Sequence, residues 1–304
     1  MSQTSSNWIR NIFFLLLIVQ LAPTVIQTVK KYYDEIISAK TKVGIITIKG
    51  PISDTSLHAQ HLKTFFEDES IKAILLKVDS PGGFAGASAS LNYVIRSLKA
   101  THHKPIIGWV QNVCASGGYY IIAAADHIIA TPLSCIGSIG VYIPQLQLQD
   151  MIEKLHIKYD AVHAGKYKTT GNPLLKNTPE QNAMLQQFVD DTYKIFAQDI
   201  LESRRTLLTA PAEVWADGKI FTGQRALELG LIDQVGSQID VEEIIKEHAH
   251  ITNEIAWVKP PQQPHWLKFF TGADDDSDSD HSYMTTFVHT LMNYISTQNT
   301  QPTL

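Results

Sequence analysis

Ala73-Ile74-Leu75-Leu76-Lys77-Val78, followed at once by Asp79-Ser80-Pro81-Gly82-Gly83, is the stretch that decides the fold. A short, almost continuous apolar run marks a strand covered on both faces, and parallel sheets are built from such strands. The glycine pair lets the chain turn sharply and lets backbone amides point into a crevice at the strand's carboxyl end, where α/β sheets hold ligands. The apolar pattern recurs upstream in Val43–Ile48 (VGIITI) and downstream in Pro105–Val110 (PIIGWV), with shorter candidates at His127–Ala130 and Ile157–Val162. Between them, Ala85–Lys99, Ala115–Ala125 and Leu146–Leu155 read as helices. Thr178-Pro179-Glu180 opens a long helix to Arg205: a hydroxyl cap, then a proline in the first turn, where its missing N–H costs nothing. Lys219–Val235 adds strand, capped helix, turn and short strand. Strand–helix alternation of this kind predicts an α/β fold with a mostly parallel sheet.

The composition agrees with a packed domain. The 304 residues include 25 Lys+Arg, 30 Asp+Glu and 12 His, for a formal net charge of -5, and 44% are hydrophobic. That profile excludes a disordered, collagen-like or heptad-repeat chain. A mildly acidic balance offers no electrostatic footprint for nucleic acid. Two cysteines, Cys114 and Cys135, cannot form a disulfide framework and read as buried thiols. No histidine pair has a convincing metal-ligand spacing, and no metal or other cofactor is expected.

Five segments follow from the patterning. Residues 1–11 lead into Ile12–Val29, apolar enough and, at about 1.5 Å per residue, just long enough for a thin bilayer. No small-x-small cleavage site follows Ala22, so this reads as an uncleaved transmembrane anchor. Residues 30–42 read as a polar stalk, 43–258 as the globular domain, and 259–304 as a linker, an acidic run (Asp274–Asp280) and an amphipathic helix over Ser282–Ile295. Lys30, Lys31, Lys40 and Lys42 outnumber Arg10 on the other side, which by the positive-inside rule places the domain in the cytoplasm.

Four segments could carry chemistry. Ser80-Pro81-Gly82-Gly83 suits an amide-lined crevice, although such a sequence also simply turns a chain. Ala115-Ser116-Gly117-Gly118-Tyr119-Tyr120 places a serine at a helix start, where it is either a cap or a nucleophile left unobstructed by the glycines behind it. It is not the G-x-S-x-G elbow of α/β-hydrolases. Cys135-Ile136-Gly137-Ser138-Ile139-Gly140-Val141 is a glycine-punctuated apolar turn with one hydroxyl, and Gly165-Lys166-Tyr167-Lys168-Thr169-Thr170-Gly171-Asn172-Pro173 is a loop with two lysines.

In this order, together with VGIITIKGPI and FTGQRALELGLID, these segments resemble the S49 family of membrane-bound serine peptidases over about residues 43–237. The resemblance implies the spiral α/β fold of the Clp protease and crotonase superfamily. It implies Ser116 as nucleophile, Lys168 rather than Lys166 as general base, Ser138 holding the lysine amine, and the amides of Gly83 and Gly117 as the oxyanion hole. It further implies peptide substrates such as signal-peptide remnants, a homo-oligomer, and a single-pass protein of the inner (plasma) membrane whose domain faces outward, against the basic-residue count. A lysine acting as base near neutral pH must be destabilised as an ammonium by about 4–5 kcal/mol. Apolar surroundings and hydroxyls supply this and a nearby carboxylate opposes it; the segments carrying Ser116 and Ser138 are free of acids. Two other functions fit parts of the pattern: a non-catalytic membrane scaffold, and a crotonase-like acyl-CoA enzyme, which would use the amide pair with an acidic catalytic residue.

Overall fold

A computed structural model describes residues 3–37 and 40–260. The chain begins with α1 (Gln3–Ile37), a helix with Pro23 inside it. It continues through β1 (Thr41–Lys49), α2 (Ser56–Glu67), β2 (Ile71–Ser80), α3 (Ala85–Thr101) and β3 (Ile106–Ala115). Then come α4 (Gly117–Ile122), β4 (His127–Ala130), β5 (Cys135–Gly137), α5 (Gln149–Lys154) and α6 (Pro179–Arg204). The last elements are α7 (Ala212–Trp215), β6 (Ile220–Thr222), α8 (Gly223–Glu228), β7 (Gln234–Val235), α9 (Gln238–His248) and β8 (Ile255–Val258).

The eight strands form one mixed sheet in the order β6-β5-β3-β2-β1-β8, with β4 bridging β3 and β7. All pairs are parallel except β5 with β6. Parallel neighbours need crossovers, and α2 and α3 supply them between β1, β2 and β3. The apolar run of β2 divides between two faces because side chains alternate along a strand. Ala73 and Leu75 join Val43, Ile107, Trp109 and Ile129 beneath Val241 and Ile245 of α9. Ile74, Leu76 and Val78 face the larger cluster containing Leu62, Leu91, Ile95, Phe196 and Trp215.

One strand organises the site. The first part of β3 pairs with β4 (Ile107↔His127 to Val110↔Ala130), and its end pairs instead with β5 (Val113↔Cys135 to Ala115↔Gly137). The edge changes partner across Gln111 and Asn112, and Asp79 accepts hydrogen bonds from Asn112 Nδ2 (3.2 Å) and Val113 N (3.3 Å) at this break.

The described residues correct several expectations. Ile157–Val162 forms no strand: Ile157, Tyr159 and Val162 are exposed, with no neighbouring strand to satisfy their backbone. Of the helix expected over Leu146–Leu155 only α5 forms, and the one expected over Ala115–Ala125 starts at Gly117 and ends at Ile122. The stretch read as a stalk, 30–42, is helical as far as Ile37 and enters β1 at Thr41. Among the described residues no helix is long and apolar enough to cross a membrane. The start of α6 follows its sequence signals: Thr178 and Gln181 form a reciprocal capping box with Pro179 in the first turn. The acidic run and the helix expected over Ser282–Ile295 lie outside the described residues.

Candidate active site

The site forms where β2 and β3 end. Behind β2, Gly82 has φ +102°, and a Cβ there would lie 2.7 Å from Ser116 Cβ and 2.8 Å from Gly117 N. At Gly83 a Cβ would lie 2.1 Å from Ile52 O, because Gly83 bridges to Ile52. Both positions therefore demand glycine, one for backbone conformation and contact, the other for close approach. The result holds Gly83 N about one contact distance from Gly117: a Cβ on Gly117 would sit 3.4 Å from it. Ser88 Oγ, buried behind the turn, would lie 2.2 Å from that same Cβ, so Gly117 is held equally tightly. Among the described residues neither Gly83 N nor Gly117 N has a backbone hydrogen-bond partner, although Ile52 N, Phe84 N and Ser116 N around them all do.

Ser116 occupies the cap position of α4 but does not cap it; its side chain makes no hydrogen bond to the helix amides. Its φ of 50° and ψ of -123° are sparsely populated for a residue with a Cβ and cost about 1–3 kcal/mol. The conformation is enforced from outside: Ser116 N donates to Gly137 O at 2.7 Å, and Tyr120 N to Ser116 O at 2.9 Å. Since Ala115 pairs with Gly137, Ser116 and Ser138 leave the sheet side by side. Ser138 also has positive φ (51°), and its N donates to Lys219 O at 2.7 Å.

Ser116, Ser138, Gly82 and Gly83 line one cavity of about 620 Å³. The other walls come from Gly140–Tyr142, from Val189, Asp190 and Tyr193 of α6, and from Ala216–Gly218. Sequence reading missed the α6 and Ala216–Gly218 walls, which lie far from the motifs along the chain. Two of these residues are acids, so a site whose motif segments lack carboxylates acquires them through folding. Asp217 pairs with Lys219, whose hydrogen bonds hold its carboxyl below the usual range. Asp190 is half-buried and accepts from Gln186 Nε2 at 2.7 Å.

Lys168 is not among the residues that line this cavity. It is exposed in the loop before α6, where its N donates to Gly165 O at 3.1 Å. Lys166 is likewise exposed, with its Nζ 5.5 Å from the Tyr167 ring centroid. The loop is tied to α6 through Gln181 Nε2, which donates to Lys166 O (3.3 Å) and Thr169 Oγ1 (3.2 Å). The structure thus brings together four of the five expected site residues: Ser116, Ser138, Gly83 and Gly117. Among the described residues no cluster of three or more His, Cys, Asp or Glu could hold a metal ion. Cys114 is buried behind the site, and desolvation pushes its thiol well above the usual range.

Known proteins match this chain across the same region. Residues 99–252 match the model of Peptidase family S49. A protein of Enterococcus faecium bearing the name signal peptide peptidase SppA is 36% identical over 229 residues, covering 71% of this chain and 66% of that one. One from Methanocaldococcus jannaschii named as a protease is 34% identical over 200 residues, 66% of this chain and 63% of its own. A Synechocystis protein also named as a protease is 32% identical over 208 residues, covering 68% and 74%. The matches thus span slightly less than two thirds of the first two relatives. A match over half the chain, joined to a serine and glycine amides gathered at the sheet's edge, leads to one assignment: the chain belongs to peptidase family S49.

Proposed function

We propose that this protein is a membrane-anchored serine endopeptidase that hydrolyses hydrophobic peptides, such as signal-peptide remnants, through an acyl-enzyme. The observation that carries the reading is Ser116: a serine in a strained conformation, not used as a cap, opening onto a cavity beside two glycine amides that have no backbone hydrogen-bond partner among the described residues. In the first step the Ser116 Oγ attacks the scissile carbonyl carbon while its proton passes to the neutral amine of Lys168. The carbonyl oxygen becomes an oxyanion and accepts hydrogen bonds from Gly83 N and Gly117 N, the positions at which fixed dipoles lower the barrier most. Collapse breaks the C–N bond, and the lysine ammonium returns its proton to the leaving amine. Water, deprotonated by the same lysine, then attacks the acyl carbon; the ester C–O bond breaks, the acid is released, and the lysine returns its proton to Ser116 Oγ. Ser138 holds the amine in place, as its emergence beside Ser116 would allow.

This chemistry requires Lys168 to reach the cavity, either by movement of its loop or from a second copy of the chain. Exposed apolar side chains on this arm and on α6, among them Leu155, Ile157 and Phe188, favour a homo-oligomer. The spiral fold of the Clp protease and crotonase superfamily is inferred with the family, and the changing edge of β3 is compatible with it. The anchor proposed for residues 12–29 falls within α1, where Phe14 to Val19 are apolar and exposed, although no described helix is long and apolar enough to cross a membrane. The family likeness, against the basic-residue count, favours a domain outside the cytoplasm, so a C-terminal phosphatase fusion should be active; an inactive one alongside an active cytoplasmic reporter reverses the topology.

A serine-reactive phosphonate tests the function directly. It should label Ser116 in the wild type, block peptide turnover, and leave Ser116→Ala unlabelled. Full peptide turnover by Ser116→Ala would end the serine-peptidase reading. The carboxylates in the cavity are the one observation that favours the crotonase-like reading, in which a carboxylate does the chemistry and Ser116 goes unlabelled.

A further inference from the structure

We propose that Asp190 is a specificity-determining residue that selects peptides carrying a basic side chain beside the scissile bond; this rests on the peptidase reading of Ser116. The charge of the cavity is set by two residues, Asp190 and Asp217, since no lysine, arginine or histidine lines it. Their situations differ. The Asp217 carboxylate is answered by Lys219, within one turn of chain. Among the described residues Asp190 makes no ion pair; its one side-chain partner is the neutral amide of Gln186, one helical turn earlier on α6. A half-buried carboxylate loses part of its hydration, and a single amide hydrogen bond does not replace it. A cation from the substrate would complete its coordination.

The surrounding wall fits the rest of such a side chain. Val189 and Val141 offer apolar surface for a methylene stem, and the wall also includes two aromatic residues, Tyr193 and Tyr142, of the kind that attract an ammonium or guanidinium. Lysine and arginine combine the two requirements, while a purely apolar side chain satisfies only the first. The neighbouring acid on α6, Asp191, provides an internal contrast: it pairs with Lys194 and does not line the cavity. Asp190 sits on a long capped helix rather than on a loop, and it lines the same cavity as Ser116.

The test uses the full chain and a peptide series in which lysine and norleucine, which share the same stem, are exchanged at each position around the scissile bond. At one position the wild type should favour lysine by about tenfold in kcat/KM, chiefly through KM, and the preference should weaken with added salt. Asp190→Asn should bring that ratio close to one, and Asp190→Lys should invert it toward a glutamate peptide. Asp191→Asn should keep the wild-type ratio. Binding of the same peptides to Ser116→Ala, followed by fluorescence anisotropy, gives the ratio without turnover. An equal preference at every position in the wild type, or a ratio unchanged in Asp190→Asn, overturns the proposal while phosphonate labelling of Ser116 leaves the peptidase reading standing. Loss of labelling with a retained lysine preference in binding would instead overturn the peptidase reading and keep Asp190 as a cation subsite. A variant that changes only the pH profile, with the ratio intact, assigns Asp190 to the reaction rather than to selection and also overturns the proposal.

Discussion

Ser116 stands at the end of a 10-residue strand, tied through its backbone to β5 on one side and α4 on the other, whereas Lys168 stands in the long connection from Ser138 to Thr178, whose only helix is the six-residue α5. The first region is fixed by burial: Ala115 and Gly117 are buried, and added atoms at Gly82, Gly83 or Gly117 would collide with backbone or with Ser88. In the second, Gly165 and Gly171 have positive φ but open space around them, and Tyr159, Val162 and Tyr167 are exposed. In the proposed mechanism a preorganised nucleophile and oxyanion hole would thus be paired with a base carried on an exposed loop. The electrostatic half of catalysis depends on rigidity; the proton-transfer half can be delivered on assembly or closure.

The largest effects should cross this divide. Ser116→Ala and Lys168→Ala should each cost at least about 10³-fold in turnover, because a nucleophile and its base act as a unit. Lys166→Ala should keep most activity. If Lys166→Ala is inactive and Lys168→Ala is not, the base is misassigned. Mixing Ser116→Ala with Lys168→Ala chains sharpens the comparison: recovered turnover would show that the base crosses a subunit boundary.

Next come glycines of the two regions. Gly83→Ala should cost about 2–4 kcal/mol in chemical denaturation and remove most activity, since its Cβ would meet Ile52 backbone. Gly171→Ala has only its φ of +78° to overcome and should cost about 1 kcal/mol. Equal costs would mean that the oxyanion turn is no more tightly built than the loop.

Strain should be visible as a gain. Ser116→Gly relieves a φ of 50° and should raise Tm by about 2–4 °C while abolishing turnover. A lower Tm would show that the surrounding hydrogen bonds do not hold Ser116 under strain.

The smallest effect concerns the buried tyrosine behind the nucleophile. Desolvation pushes the Tyr119 hydroxyl above its ordinary value, and it donates to Leu231 O at 2.6 Å. The folded state therefore keeps a proton that the unfolded chain releases near pH 10, so this contribution is intact below pH 10 and declines above it, by up to about 1.4 kcal/mol per pH unit. Tyr119→Phe should flatten that decline in denaturation curves between pH 9.5 and 11. An unchanged slope would place the alkaline sensitivity elsewhere.

The same division explains what could be read from the chain. β1, β2 and β3 were legible because strands covered on both faces leave uninterrupted apolar runs, and Pro179 and Thr178 announced α6. The Ser80–Gly83 and Ser116–Gly118 segments stood out because close backbone approach demands glycine. Ile157–Val162 misled because Ile157, Tyr159 and Val162 stay exposed, with no strand beside them. Asp190 left no local signal, since a carboxylate on an amphipathic helix looks solvated until the helix is docked. The role proposed for Lys168 rests on the family likeness alone, since the structure leaves its side chain outside the cavity, and the strain at Ser116 was not legible at all.

The changing edge of β3 also governs how this protein tolerates changes in chain length. A residue inserted between Val110 and Val113 would leave the β4 pairing untouched but turn the strand's end over, exchanging inward and outward side chains and moving Ser116 a full step from the Gly82–Gly83 turn. No neighbouring substitution could restore the distance. An insertion near Gly165 or Gly171 meets open space and leaves every sheet register as it is. Natural and engineered variants should therefore differ in length along the arm that carries Lys168, while β3 keeps a fixed count of residues between its two partners.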